Sequence, residues 1–152
     1  MTFLDRLIIM LAQGMGAGRV SVAPGTFGTL VGLPVVWGLW QTNAVWYGCG
    51  LITIVVIAIV SSHRASAILG RHDDPRIVID EIAGIVLALA WVPPTVPALV
   101  LGFVLFRAFD IAKPPPIGYL DRRVHGGIGI VVDDLVAGLA TNVILQLIFR
   151  VI

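Results

Sequence analysis

Adjacent carboxylates at Asp80-Glu81 and Asp133-Asp134, and the segment FRAFDIAK with Arg107, Asp110 and Lys113, stand out in a chain that is only 12% charged. Each group lies at the edge of a long uncharged run, where ionisable side chains serve a site better than they serve solubility. Both acidic pairs are read as opening helices, because the positive end of the helix dipole favours a carboxylate there. Carboxylates from separate helices, with no cysteine or histidine cluster, form a hard oxygen set that suits magnesium rather than zinc. The candidate metal ligands are Asp80, Glu81, Asp110, Asp133 and Asp134. Neighbouring residues on a helix point about 100° apart, so one member of each pair faces the site while the other caps, and the choice between them stays open.

Arg107 and Asp110 are three residues apart and share one helical face. The guanidinium of Arg107 matches a phosphate in bidentate fashion, and Lys113, forced out of the helix by Pro114, supplies a mobile point charge. A solvated helix start, or a plain Arg107–Asp110 ion pair, accounts for any one of these groups alone. Their number in so apolar a chain favours a single site. Asp80, Glu81, Asp110, Lys113 and Asp134 are the candidate catalytic residues. In SVAPGTFGTL, Thr26 and Thr29 fall where a helix begins and backbone amides attract anions, although ordinary capping looks the same. Arg123 and His125 are further candidate substrate contacts. His125 beside Gly126-Gly127 is placed to shuttle a proton, or is incidental in a polar loop.

The rest of the chain must position these groups from within a membrane. Mean hydropathy is +0.99, hydrophobic residues make up 58% of 152 residues, and Val20 to His63 contains no Asp, Glu, Lys or Arg. That length accommodates two crossings at about 20 residues each. Gly28 to Trp40, with Pro34, is a short first arm, and Ala44 to Ser62 is the clearest span, with Trp46 and Tyr47 at an interfacial level. His63 to Arg76 reads as a solvent-exposed loop. Ile82 to Trp91 and Ala98 to Phe109 form a second hairpin, broken by Pro93, Pro94 and Pro97. A loop with Asp121, Arg122, Arg123 and His125 then leads into a last helix beginning near Asp133. The predicted fold is all-α, a single multi-helical membrane domain of short helical hairpins with a polar site on one face.

Parity puts every polar motif on one side. Arg6, Arg19, Arg64, Arg71, Arg76, Arg107, Lys113, Arg122 and Arg123 share that side, Arg150 lies opposite, and the positive-inside rule makes the charged side cytoplasmic. A net charge of +1 with no basic tract gives no sign of nucleic acid binding. The N-terminal MTFLDRLIIMLAQGMG lacks a signal-peptide layout, so no cleavage is expected. Cys49, the single cysteine, forms no internal disulfide. Oligomeric state stays open. A small transporter or ion-conducting protein with carboxylates along its path is the alternative, although the predicted helix centres lack the charges such a path needs.

The blocks APGTFGTL, HDDPRIVIDEIAG, FRAFDIAKPPPI and DRRVHGGIGIVVDDLVAG, in this order from Ala23 to Gly138, closely resemble the phosphatidylglycerophosphatase A family of bacterial membrane enzymes. One departure is Pro115, where the family commonly has an aromatic residue between prolines. The resemblance implies a magnesium-dependent phosphomonoesterase of the bacterial inner membrane, with phosphatidylglycerophosphate as its membrane-lipid substrate and phosphatidylglycerol and inorganic phosphate as products.

Overall fold

The computed structural model describes every residue except Asp73 and Ile152, and all their side chains except those of Asp121, Arg150 and Val151. The expected position of Arg150 opposite the other basic residues therefore lies outside the described side chains. Among the described residues the chain is all-helical and contains no strand. Its helices are α1 (Phe3–Ala12), α2 (Pro24–Trp40), α3 (Ala44–Leu69), α4 (Ile79–Ala88), α5 (Val96–Ala112), α6 (Ile117–Arg123) and α7 (Gly126–Val151), with a 3-10 segment at Gly14–Arg19 after α1.

Local chemistry explains most boundaries. Thr2 and Asp5 form a reciprocal capping box that starts α1. The side chain of Asn43 accepts from the amides of Val45 and Trp46, both at 3.1 Å, and starts α3. Gly70, at φ +69°, ends α3 in the left-handed conformation that glycine adopts without steric cost. Thr95 caps α5, and Pro97 occupies its first turn, where a missing N–H leaves nothing unpaired.

Three boundaries differ from the sequence expectation. The polar stretch His63 to Leu69 continues α3, because nothing in HRASAIL breaks a helix before Gly70, so the loop is shorter than expected. Ile117–Arg123 is helical, where a loop was expected. Helix α7 begins at Gly126, about two turns before Asp133. Asp133-Asp134 consequently do not open a helix, and the dipole argument applies to Asp80-Glu81 alone. Of the glycines in HGGIGI, Gly126 takes the left-handed conformation (φ +75°) where the chain turns into α7, and Gly127 allows close packing, since a Cβ there would lie 2.2 Å from the carbonyl oxygen of Ile59 on α3.

Two helices, Ala44–Leu69 and Gly126–Phe149, are long and apolar enough to cross a membrane. Only 22% of the apolar window of α3 is buried within the protein, so α3 is not the core helix of a soluble fold. Its Ile52, Val56 and Val60 point outward. The architecture is that of a multi-helical membrane protein built from the two expected hairpins, α2–α3 and α4–α5, and a final long helix.

At the centre lies α4, apolar around most of its circumference and buried against α2, α3, α5 and α7. Helices α4 and α7 run parallel with a constant offset of 54 residues. Asp80 meets Asp134 at one end, and Gly84 meets Gly138 one turn on, where a Cβ on Gly138 would lie 2.4 Å from the Gly84 carbonyl oxygen. A further turn along, the Asn142 amide donates to the carbonyls of Ala88 (3.1 Å) and Ala90 (2.9 Å). Gln146 also donates to Ala90, at 2.9 Å, and the Tyr47 hydroxyl donates to the Val86 carbonyl, at 2.9 Å. The carbonyls at the end of this short helix thus find partners where lipid would offer none. Replacing Asn142 with Leu leaves the Ala88 carbonyl without that donor at a cost of about 1–3 kcal/mol. A lower Tm for Asn142→Leu in detergent is the expected outcome, and an unchanged Tm would show that the cap contributes nothing.

Candidate functional site

A cavity of about 410 Å³ opens at the carboxylate end of the α4–α7 pair. Its wall is built from the start of α2 (Ala23, Pro24, Gly25), the loop before α4 (Arg71, His72, Pro75, Ile77), the start of α4 (Asp80, Glu81), the end of α5 (Arg107, Asp110, Lys113) and the first three turns of α7 (Gly129, Ile130, Asp133, Asp134). Five carboxylates therefore face three cationic side chains, Arg71, Arg107 and Lys113.

Asp80, Glu81 and Asp134 each present a carboxylate oxygen within 4.8 Å of the other two. The remaining two acids are engaged differently. Asp110 pairs with Arg107 along α5 and contacts Asp134, while Asp133 accepts from the Lys113 ammonium at 2.7 Å. Arg107 also lies 3.9 Å from Glu81. Glu81 Oε2, Asp134 Oδ2 and Arg107 Nε are buried without any hydrogen-bond partner. Two orphaned carboxylate oxygens in a cluster short of positive charge are what a bound cation would satisfy, and an all-oxygen donor set suits a hard divalent ion. The residues present fit magnesium.

Lys113 reaches the cavity because it ends α5 in the left-handed conformation, φ +44°, immediately before Pro114. Gly25 is required by contact: a Cβ there would lie 2.1 Å from Glu81 Oε1 and 3.0 Å from Arg107 Nη1. The α2 backbone thus closes directly over the charged groups.

The other sequence candidates fall outside this cavity. Thr26 occupies the first turn of α2 but does not line it. Thr29 is fully buried, and its hydroxyl donates to the Gly25 carbonyl at 2.8 Å, so it holds the helix turn rather than facing the site. Arg123 is exposed and lies over the Tyr119 ring at 4.8 Å. His125 borders a second, more apolar cavity, with its ring 6.0 Å from that of His72.

A match to the family model for phosphatidylglycerophosphatase A spans residues 10–149. The chain belongs to this family. The phosphatidylglycerophosphatase A of Escherichia coli K12 is 39% identical over 142 residues, covering 91% of this chain and 81% of that protein. The phosphatidylglycerophosphatase A of Haemophilus influenzae is 35% identical over 136 residues, covering 87% and 82%. A Bacteroides thetaiotaomicron protein provisionally named a phosphatidylinositol-3-phosphatase is 29% identical over 148 residues, covering 91% of each chain. No solved structure matches the chain. As a phosphatidylglycerophosphatase A family member, the chain is a phosphoric monoester hydrolase.

The candidate site residues read from the sequence do not include Arg71, His72 or Asp74. Asp74 is buried, and its carboxylate accepts from the Arg76 backbone (3.0 Å) and from its guanidinium (2.8 Å), folding the loop that delivers Arg71, His72 and Pro75 to the cavity. The aspartate before a proline was a visible turn signal, but its burial was not. The Arg76 guanidinium beside Asp74 holds its carboxyl below the usual carboxylate range. A depressed folded-state pKa gives stability that is present above the unfolded value, about 3.9, and is lost as pH falls through the folded value. Because half of the Arg76 side chain is exposed, solvent screens the pair, and about 1 kcal/mol is expected from the hydrogen bonds. The family member carrying Asp74→Asn should therefore melt a few degrees lower at pH 7, and the gap to the parent should close below about pH 4. A gap unchanged between pH 7 and pH 3 would contradict this. For Gly25→Ala, phosphatase activity should fall at least about 10-fold while Tm stays within a few degrees, since Glu81 or Arg107 must shift by a fraction of an ångström to a few ångström. Full activity in that variant would remove Gly25 from the site.

Proposed function

We propose that the chain hydrolyses the terminal phosphate of phosphatidylglycerophosphate, giving phosphatidylglycerol and inorganic phosphate, with magnesium, at the cytoplasmic face of the bacterial inner membrane. The observation that carries this reading is the Asp80–Glu81–Asp134 cluster, with its buried, partnerless carboxylate oxygens beside Arg107. Family membership supplies the substrate class.

Asp80, Glu81 and Asp134 would hold the ion. When bound, magnesium supplies positive charge to the phosphate oxygens and makes water a better nucleophile. Arg107, at the cavity wall, binds phosphate oxygens through its planar fork, and Asp110 sets its orientation. Lys113, held by Asp133, brings a second positive charge against the charge that develops on the leaving group and transferred phosphoryl. Asp110 and Asp133, expected as ligands, act here through their cationic partners. The amides at the start of α2 lie on the same side, above Glu81.

The parallel course of α4 and α7 supports the membrane topology, since both leave from the charged face while α3 and α5 return to it. Positive residues gathered on that face support a cytoplasmic orientation under the positive-inside rule. The headgroup of a lipid can then enter the cavity while its tails stay in the bilayer.

Purified protein in mixed micelles should release phosphate from phosphatidylglycerophosphate with magnesium and stop with a chelator. Asp80→Asn and Asp134→Asn should each lower kcat by about 100-fold or more, a barrier increase of about 2.7 kcal/mol. Phosphate release unaffected by chelation would end the magnesium reading, and faster release from phosphatidylinositol 3-phosphate would redirect the substrate. Absence of release with any divalent ion would favour the transporter alternative.

A further inference from the structure

A second cavity, of about 480 Å³, lies between α3 and the start of α7, lined by Ile59, Val60, His63, Arg64, His125 and Ile128. Its chemistry is divided. Val60 and Ile128 are 58% and 57% exposed and face outward, while His63, Arg64 and His125 are exposed at the polar end. This cavity adjoins the acidic one: Gly126, in its wall, donates its amide to His72 Nε2 at 3.0 Å, and His72 lines the acidic cavity.

The depth of this groove follows from α3. Trp46 suits an interfacial level, and Arg64 lies about 27 Å from it along the helix at about 1.5 Å per residue. That separation is close to the hydrocarbon thickness of about 30 Å, so Arg64 reaches the headgroup level of the opposite leaflet, on the side of the acidic cavity. Val60, one turn before it, faces the acyl region.

Phosphatidylglycerophosphate carries two phosphates: a terminal monoester, and a diester that joins glycerol to the diacylglycerol. We propose that the second cavity holds the diacylglycerol phosphodiester half of the substrate. Arg64 faces the diester, flanked by His63 and His125, and an acyl chain lies along Val60 and Ile128. The headgroup glycerol then passes the His72–Gly126 contact, so that the terminal monoester enters the acidic cavity. A cation facing the diester complements its single negative charge, and the apolar wall continues the bilayer. The inference rests on the phosphatase reading and assigns the second half of the same substrate.

Steady-state release of phosphate by the full-length chain with magnesium, from the diacyl lipid in mixed micelles and from its deacylated, water-soluble headgroup, tests the assignment. Val60→Trp should raise KM for the lipid about 5-fold or more and leave KM for the headgroup within about 2-fold. Arg64→Ala, at an exposed position, should raise KM for both substrates, since both carry the diester, with kcat little changed. Lipid KM unchanged in both variants would overturn the assignment while leaving the phosphatase reading intact. So would a Val60→Trp variant that affects both substrates equally. A parent protein inactive on both substrates would instead defeat the phosphatase reading, and this inference with it.

Discussion

Carboxylates repel one another, and assembling several of them inside a protein requires a packing contact strong enough to oppose that repulsion. Here the contact is the seam between α4 and α7, where Gly84 and Gly138 let two parallel helices approach until backbone meets side-chain-free backbone. One turn along the seam, Asp80 and Asp134 are carried together whether or not their charges favour it. Arg107 and Lys113 relieve part of the repulsion through Asp110 and Asp133, and the partnerless oxygens of Glu81 and Asp134 mark what is left over. The clustering of the carboxylates is thus a by-product of helix packing rather than of any flexible loop.

The same seam solves a different difficulty at its other end. A ten-residue helix cannot span a bilayer, and a helix that stops midway exposes carbonyls to a medium without donors. Asn142, Gln146 and Tyr47 provide those donors from neighbouring helices. The proline-rich turn that follows can therefore sit at depth, and α5 returns to deliver Arg107, Asp110 and Lys113 to the charged face.

The charged motifs and both hairpins were legible in the sequence, because prolines and uncharged runs punctuate the chain strongly. Asp80, Glu81, Asp110, Lys113, Asp133, Asp134 and Arg107 do line one cavity. Less legible was which acid pairs with which base, since spacing along a helix reports Arg107–Asp110 but is silent on Lys113–Asp133, which joins α5 to α7. The start of α7 was hidden by glycines that usually mean a loop and here serve close contact with α3. Thr29 looked like an anion contact because a buried hydroxyl bonded to its own helix has the same sequence context as an exposed cap. Asp74 reads as a turn residue until its burial and its grip on Arg76 are known.

The constant register of α4 on α7 makes the longer helix a splint for the shorter one, gripping it at both ends and at its waist. Changes in bilayer thickness or tilt can then rock the pair as a unit without altering the distance between Asp80 and Asp134. The carboxylates at the end of the pair keep their spacing because the two helices that carry them move as one body.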